Sequence, residues 1–318
     1  MLIRDLPDDG VIREAGAYRM PIDHYHTQCC DGPSISSGGL RTIYNKSAAD
    51  YWAFSDLNPA RYERPDSDAL NFGRAAHALL LGDEVFDDNF LVLSDDAPPK
   101  PTKAQMRARR EGRMSASANE RFSFWDAFLR VQCGRTVVAQ TWMDDIRAMS
   151  AALAAHPLVG PLFDGEAEVS LIWRDEPTGV WIKSRPDMLP RMGDVKGDLK
   201  TTADASLRAV MRDITKHGYD MQAALGAMGC EEVLGQTISS DAIVFAQKTP
   251  PYHVTLVEVP EAALHWGKLK CRLAIDEFAR CLETGTWPGP VEGVAVYHTP
   301  DWQTDEIEAR RAEGLSAV

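Results

Sequence analysis

Two carboxylates and a lysine lie close together in the run IKSRPDMLPRMGDVKGDLKTT, residues 182–202. We expect two short strands joined by a turn, with Asp187 on the first strand and Asp198 and Lys200 on the second. Because alternate side chains of a strand share a face, Asp198 and Lys200 point the same way and Leu199 points into the core. Adjacent carboxylates repel each other unless a cation lies between them, and their oxygens suit Mg²⁺. The pattern predicts metal-assisted phosphodiester hydrolysis, in which the lysine orients or activates water.

Two further basic side chains, Lys183 and Arg185, share the strand face of Asp187. They would hold the scissile phosphate or a neighbouring one, or form structural ion pairs instead. A rival centre is Asp194 with Lys196, which has the same Asp-x-Lys spacing. The spacing alone leaves these alternatives open.

The surrounding sequence adds a family resemblance. Pro186-Asp187 followed by Asp198-Leu199-Lys200 resembles the signature of the PD-(D/E)xK nucleases. The strings GRAAHALLLG, DLKTT and YDMQAALG, together with Glu168, occur in an order that resembles the RecB-like branch. The set is most similar to the phage and prophage RecE-type exonucleases (exodeoxyribonuclease VIII) over roughly residues 35–290. The family spacing and the KTT continuation favour Asp198 over Asp194 as the centre.

The resemblance implies a role for each matching residue. It implies metal binding by His77, Asp187, Asp198 and the Leu199 carbonyl, and a water-positioning role for Lys200. It implies supporting roles for Glu168, Gln222 and Tyr219, although the family's tyrosine follows the glutamine by four residues, where this chain has Gly226. As a metal ligand, Asp198 is expected to be surface-exposed. On spacing alone, His77 is typical of a core residue, because it lies in an apolar helix predicted from about Phe72 to Leu81 and ending at Gly82.

The resemblance also implies an activity and partners. It indicates hydrolysis of DNA with Mg²⁺, for which Mn²⁺ would substitute, by a 5′ to 3′ exonuclease that acts on double-stranded DNA ends and leaves 3′ single strands for recombination. Members of the RecE-like group look like closed rings, so a homo-oligomeric ring is implied, and a single-strand annealing protein is an expected partner. The alternatives are a RecB-like single-strand or flap nuclease, an endonuclease, and an inactive nuclease-fold module that binds DNA.

Cysteine spacing bears on one further cofactor. Some RecB-like relatives carry an iron-sulfur cluster on one early cysteine and a closely spaced late trio. The six cysteines here lie at positions 29, 30, 133, 230, 271 and 281. This spacing lacks the late trio, so we expect no iron-sulfur cluster and reduced thiols.

Length and composition indicate one large domain with a sizeable core. The predicted strands and helices, together with the resemblance, imply an α/β fold: a small central mixed β-sheet flanked by helices, with an N-terminal helical portion that bears His77. We expect an irregular arm over residues 1–36, a single nuclease domain over 37–290 and a polar tail over 291–318. No apolar run approaches the ~18 residues of a membrane span. The N-terminus lacks a signal-peptide pattern, so we expect a cytoplasmic protein without a membrane partner.

The net charge of −13 argues against a protein that coats nucleic acid through bulk electrostatics. Any DNA binding must therefore be local. Six Lys and Arg residues cluster in residues 100–113. This basic segment is either a solvated face or a DNA-contacting element.

Overall fold

Twelve strands and thirteen helices make up the part of the chain that the computed structural model describes, residues 2–63, 67–81, 86–191, 193–291 and 293–314. The strands are β1 Ile3–Asp5, β2 Gly16–Arg19, β3 Ser34–Ser36, β4 Phe90–Leu93, β5 Thr136–Ala139, β6 Gly165–Ala167, β7 Ser170–Arg174, β8 Trp181–Ser184, β9 Met188–Pro190, β10 Val195–Thr202, β11 Ser240–Gln247 and β12 Val254–Pro260. The helices are α1 Ile22–His26, α2 Ser37–Asn45, α3 Ala48–Trp52, α4 Asp68–Leu80, α5 Phe86–Asn89, α6 Lys103–Arg110, α7 Ala116–Gln132, α8 Gln140–Ala155, α9 Val159–Leu162, α10 Leu207–His217, α11 Tyr219–Leu234, α12 Glu261–Thr284 and α13 Asp301–Ala312. None of these described helices combines the length and apolarity needed to cross a membrane.

Two five-stranded sheets carry the fold. Sheet 1 has the order β1-β2-β7-β8-β3, and sheet 2 has the order β12-β11-β10-β9-β6. In sheet 2, β10 runs parallel to β11, whereas β9 and β12 are antiparallel to their neighbours. The α/β class and the mixed sheet flanked by helices are confirmed, and the sheet system is larger than the single small sheet predicted.

One bent hairpin connects the two sheets. The half next to the turn, β7 with β8, belongs to sheet 1. The half farther from the turn, β6 with β9, belongs to sheet 2. The prediction that a single strand holds Lys183 through Asp187 is therefore wrong, because β8 ends at Ser184. Pro186 has no N–H to donate to a sheet ladder, which explains why pairing stops there. Asp187 lies in the connection at the junction of the sheets.

The central strands β10 and β11 are covered on both faces, as is typical of parallel strands. Ile243 and Phe245 pack in a cluster that includes side chains of α11 and α12. Leu199 and Val244 pack in a second cluster that includes side chains of α4 and α8. Because neighbouring side chains of a strand alternate, Asp198 and Lys200 face the side opposite to Leu199.

Residues 1–36 do not form the irregular arm expected from their composition. They supply β1, β2 and β3, three of the five strands of sheet 1, and Ile12 and Tyr18 are buried. Strands of three or four residues are too short to show a period in the sequence. The partners of β2 and β3 are β7 and β8, which lie more than a hundred residues away, so this pairing is not a local property of the sequence.

Other elements agree with the sequence or differ at their ends. The chain from Ser37 to Trp52 forms two helices, α2 and α3, because the Ser47 hydroxyl accepts a hydrogen bond from the Asp50 N–H and caps a new helix. The helix that bears His77 begins earlier than expected, and its expected end at Gly82 lies outside the described residues. The tail beyond residue 290 contains α13, which has no buried residue.

Candidate active site

Three side chains that could share a cation meet at the junction of the two sheets. His77 comes from α4, Glu168 from the connection between β6 and β7, and Asp187 from the connection between β8 and β9. One donor atom of each lies within 4.8 Å of the others, and His77 Nδ1 is 3.7 Å from Asp187 Oδ2. The structure thus brings together residues that are far apart in the sequence.

Asp187 is held in place by backbone groups around it. Its Oδ2 accepts a hydrogen bond of 2.7 Å from the Leu199 N–H, and its carbonyl accepts one of 3.2 Å from the Glu168 N–H. Strand β9 pairs with β10 only at Gly197. Two residues further along the same edge of β10, the Leu199 N–H is bound by the Asp187 carboxylate instead of by a neighbouring strand. The N–H and C=O of one strand residue point to the same edge, which puts the Leu199 carbonyl on the edge that faces Asp187.

Asp198 and Lys200 form a separate pair next to this cluster. Lys200 Nζ lies 2.5 Å from Asp198 Oδ2, and Gln222 Nε2 on α11 donates a hydrogen bond of 3.0 Å to Asp198 Oδ1. The expectation of a surface-exposed Asp198 is wrong, because the residue is 3% exposed. It faces α11, whereas Asp187 occupies the strand edge, which explains why the two carboxylates lie in different groups.

The pair is charged because each member stabilises the other. Burial alone would raise the pKa of the Asp198 carboxyl, but the ammonium groups of Lys200 and Lys196 more than offset this, so the pKa lies below its usual value. Burial lowers the pKa of Lys200, but Asp198 and Asp187 together raise it above its usual value. Lys200 is therefore a protonated hydrogen-bond donor at neutral pH and not a base.

Glu168 occupies a strained backbone position beside Asp187. Its φ of 55° lies in the left-handed region, which residues other than glycine rarely adopt. Its Oε2 accepts a hydrogen bond of 2.6 Å from Arg185 Nε. Burial and then the charge of Asp187 raise the pKa of the Glu168 carboxyl, and Arg185 offsets this only in part. A cation between the two carboxylates would relieve this repulsion.

The two basic residues considered as phosphate contacts are bound to the protein itself. Lys183 is buried, and its Nζ donates hydrogen bonds of 2.8 and 2.6 Å to the carbonyls of Tyr25 and Thr27. Besides Glu168, Arg185 contacts the Met20 carbonyl at 2.9 Å. These contacts agree with the structural alternative that the sequence left open.

The rival pair of Asp194 and Lys196 does not form a centre. Asp194 is exposed, whereas Lys196 is buried in an ion pair with Asp241 of β11. Gly226 on α11 makes room for this lysine, because a Cβ there would lie 2.7 Å from Lys196 Cε. The space that a side chain at position 226 would need is therefore filled by the aliphatic end of Lys196.

The cluster and the pair border an open cleft of about 960 Å³ that is also lined by the start of α2, Arg41 and Tyr219. Arg41 donates a hydrogen bond of 2.9 Å to the His217 carbonyl, and its guanidinium lies 6.0 Å from the centre of the Tyr219 ring. Lys200 Nζ lies 5.2 Å from the same ring. Among the described residues, no carboxylate lies within ion-pair distance of Arg41. The sequence analysis missed Arg41, for which the preceding SSGG run was the only local signal.

The donor set fits a divalent metal ion. One imidazole nitrogen and two carboxylates suit Mg²⁺ or Mn²⁺. Burial and then the charge of Asp187 raise the pKa of the Glu168 carboxyl. His77, Glu168 and Asp187 would hold the ion, with the Leu199 carbonyl on the adjacent strand edge. The roles assigned to these residues and to Asp198 stay predictions.

Comparisons with known proteins bear on the fold and the family of the chain. A solved structure from Eubacterium rectale described as a "putative exonuclease" aligns with 91% of this chain and 98% of its own, with a TM-score of 0.57 and 14% identity, which shows a shared fold. A structure of the protein SSO0001 covers 67% of this chain and 96% of its own at 14% identity, but its TM-score is 0.27 and no argument rests on it. No curated protein matches the sequence. Residues 44–300 match the family described as a PDDEXK-like domain of unknown function (DUF3799), and since this covers most of the chain, the protein belongs to that family of PDDEXK-like domains.

Proposed function

We propose that this protein is a metal-dependent deoxyribonuclease that degrades linear double-stranded DNA from its ends. The observation that carries the proposal is the donor set of His77, Glu168 and Asp187 beside the charged pair of Asp198 and Lys200, all next to an open cleft. Membership of the PDDEXK-like family supports nuclease chemistry. The choice of Mg²⁺, with Mn²⁺ as a substitute, rests on the donor types.

The residues of the chain divide the work of hydrolysis. A bound divalent ion supplies positive charge to a phosphoryl group and makes water more acidic. Lys200 is held by Asp198 and keeps its proton, so it orients the attacking water and offsets charge on the phosphate. Gln222 fixes the Asp198 carboxylate and thereby the position of Lys200.

The substrate phosphate needs cations that the protein does not already neutralise. Arg41 lines the cleft, is half-buried rather than buried like Lys183, and has no described carboxylate within ion-pair distance, so its charge is not neutralised. Arg74 on α4 lines the same cleft, and its ion pair among the described residues is a long contact of 3.4 Å to an exposed Asp23. Both are candidates for contacts with the DNA backbone, which a protein of net charge −13 must bind locally.

The finer parts of the proposal rest on the resemblance to RecE-type exonucleases. They are 5′ to 3′ polarity, a product with a 3′ single strand for recombination, a homo-oligomeric ring and an association with a single-strand annealing protein. A RecB-like nuclease of single-stranded or flap DNA, or an endonuclease, would use the same chemistry. Competition between blunt duplex, single strand and closed circle separates these activities.

The direct test is incubation of the purified protein with end-labelled linear duplex. Label should be released with Mg²⁺ or Mn²⁺ and retained when EDTA is present. The Asp187→Asn variant should release none while keeping the circular dichroism spectrum of the wild type, since the substitution removes one ligand charge and keeps the side-chain shape. If the folded wild type cuts no DNA with either metal, the protein is an inactive nuclease-fold module.

A further inference from the structure

A second concave surface lies outside the candidate active site, between α6 and α7. This α6–α7 groove has a volume of about 510 Å³, within the ~300–1,000 Å³ of small-ligand pockets. Its floor is aromatic and its rim is basic. The lining includes Met106, Arg109, Arg110, Trp125, Phe128 and Leu129. Met106 and Leu129 are large apolar side chains that are exposed to solvent.

The charges around the groove are only partly neutralised within the chain. Arg109 pairs with Asp126 through two hydrogen bonds, and Arg107 and Arg113 both contact Glu111. Arg110 has no ion-pair partner among the described residues, and neither does Lys103. Residues 100–113 contain six basic residues and one acidic residue. The groove therefore suits an apolar ligand that carries negative charge.

The C-terminal segment, defined as residues 293–314, has the complementary properties. Val294, Tyr297 and Trp302 are 94%, 76% and 67% exposed, and every residue of this segment except the half-buried Gln303 is exposed. The segment contains five Asp or Glu residues and two Arg residues. Exposed apolar side chains beside charged ones commonly mark an interaction site.

The C-terminal segment and the α6–α7 groove do not pack on each other within one described chain. The chain is anchored just before the segment, where Trp287 stacks on Trp52 at 4.5 Å and the Pro288 carbonyl accepts a hydrogen bond from Ala49. Beyond this anchor the aromatic residues of the segment are exposed, and the α6–α7 groove is open. Every copy thus offers one unused acidic, aromatic segment and one unused basic, aromatic groove.

We propose that the C-terminal segment of one copy docks in the α6–α7 groove of a second copy. Tyr297 and Trp302 would be the aromatic anchors, and the carboxylates of α13 would pair with the basic rim. The contact joins two different surfaces, so it is heterologous and leads to a ring or an open chain of subunits. It assigns the basic segment 100–113 to assembly, and it does not depend on nuclease activity.

A DNA ligand fits the groove less well. Trp125 is buried and donates a hydrogen bond to the Pro98 carbonyl, so it offers no free face on which a base could stack. Several of the arginines already have carboxylate partners, which would compete with phosphate. An acidic peptide with aromatic anchors uses both the floor and the free rim charges.

The test is sedimentation of the full-length protein over a range of concentrations. The wild type should exceed the monomer mass of 35.2 kDa, and both Trp302→Ala and Arg110→Glu should sediment as monomers. Trp266→Ala and Arg208→Glu are matched controls that change an exposed Trp and an exposed Arg elsewhere, and they should assemble like the wild type. Arg110→Ala replaces Arg110→Glu if circular dichroism shows that the latter is misfolded.

Mixing the two monomeric variants gives the decisive result. The Trp302→Ala copy keeps an intact groove and the Arg110→Glu copy keeps an intact segment, so the mixture should form a complex of one copy each and stop there. A mixture that stays monomeric overturns the proposal. It is also overturned if the wild type is a monomer at every concentration, as intramolecular docking would give, or if Arg110→Glu weakens DNA binding without changing assembly.

Discussion

Three lysines near the candidate site differ in burial and in what binds their ammonium groups. Lys196 is buried and neutralised by Asp241 on the adjacent strand β11. Lys183 borders the cleft, but it is buried and donates to two backbone carbonyls. Lys200 is half-buried, pairs with Asp198 and lines the cleft. A charge next to the cleft acts on substrate, whereas a charge that is consumed inside the protein acts on stability. The three residues should therefore respond differently to the loss of their charge.

Lys200→Met should separate metal binding from turnover. The substitution removes the ammonium but keeps the length of the side chain and all proposed metal ligands, so the rate should fall by about 10²-fold or more. Metal affinity measured by calorimetry should change little. Lys216→Met, at an exposed lysine on α10, is the matched control and should retain full turnover. If Lys200→Met degraded DNA at the wild-type rate, Lys200 would have no part in the mechanism.

Asp198→Asn should abolish cleavage, whereas Asp194→Asn should not. Replacement by Asn removes the charge that holds Lys200 but keeps an oxygen for Gln222 to contact. Asp198→Ala is less informative, because it also removes the side-chain oxygen that accepts a hydrogen bond from Gln222. Activity should be compared at equal folded fraction, measured by urea unfolding. An active Asp198→Asn with an inactive Asp194→Asn would place the centre on the rival pair.

The bent hairpin explains how neighbouring elements bring Glu168 and Asp187 together. The chain changes sheets at both residues, and the Glu168 N–H donates to the Asp187 carbonyl across the bend. Sequence alternation predicted the strands on either side. It did not predict the bend. The alternation of apolar and polar residues continues unchanged where the chain passes from one sheet to the other. The break is set by Pro186 and by partner strands that are remote in the sequence.

The same limit applies to the elements behind the site. The α10 helix has a clear amphipathic period, whereas α11 and β11 are buried on nearly all sides and show little period. The buried state of Lys196 was not predictable, since it depends on Asp241, which is 45 residues away, and on the missing side chain of Gly226. Motif order named His77, Glu168 and Gln222 as candidate site residues. The structure places His77 and Glu168 beside Asp187, and Gln222 beside the pair of Asp198 and Lys200.

The ion pair between β10 and β11 should contribute to stability more than to chemistry. Lys196→Met leaves Asp241 buried without a cation and should lower the free energy of unfolding by ~3–5 kcal/mol. The double variant Lys196→Met/Asp241→Leu removes both charges and should recover most of this loss. Lys268→Met breaks an exposed pair with Glu231 and should cost only ~0–1 kcal/mol. Urea unfolding at constant pH measures all three, and equal losses in Lys196→Met and Lys268→Met would contradict the burial argument.

At the scale of the whole molecule, charge and shape restrict how DNA can be bound. The chain carries 47 acidic and 34 basic side chains, so its average field repels DNA. The cleft brings Arg41, Arg74 and Lys200 to one place. The sequence shows the excess of acidic residues, and these three grouped cations are the local phosphate contacts that we propose.

Degradation should depend on DNA ends, because a ring that threads duplex can load only where the duplex terminates. Linear DNA should be degraded progressively with Mg²⁺, and covalently closed circles should survive under the same conditions. A 5′ label should appear early as mononucleotide and a 3′ label late if the polarity is 5′ to 3′. Binding should weaken quickly with added salt, since phosphate contacts release counterions. Linearising the same circle with a single cut is the matched control. Rapid cutting of closed circles, or early release of the 3′ label, would exclude the end-dependent 5′ to 3′ activity and leave the metal-dependent nuclease standing.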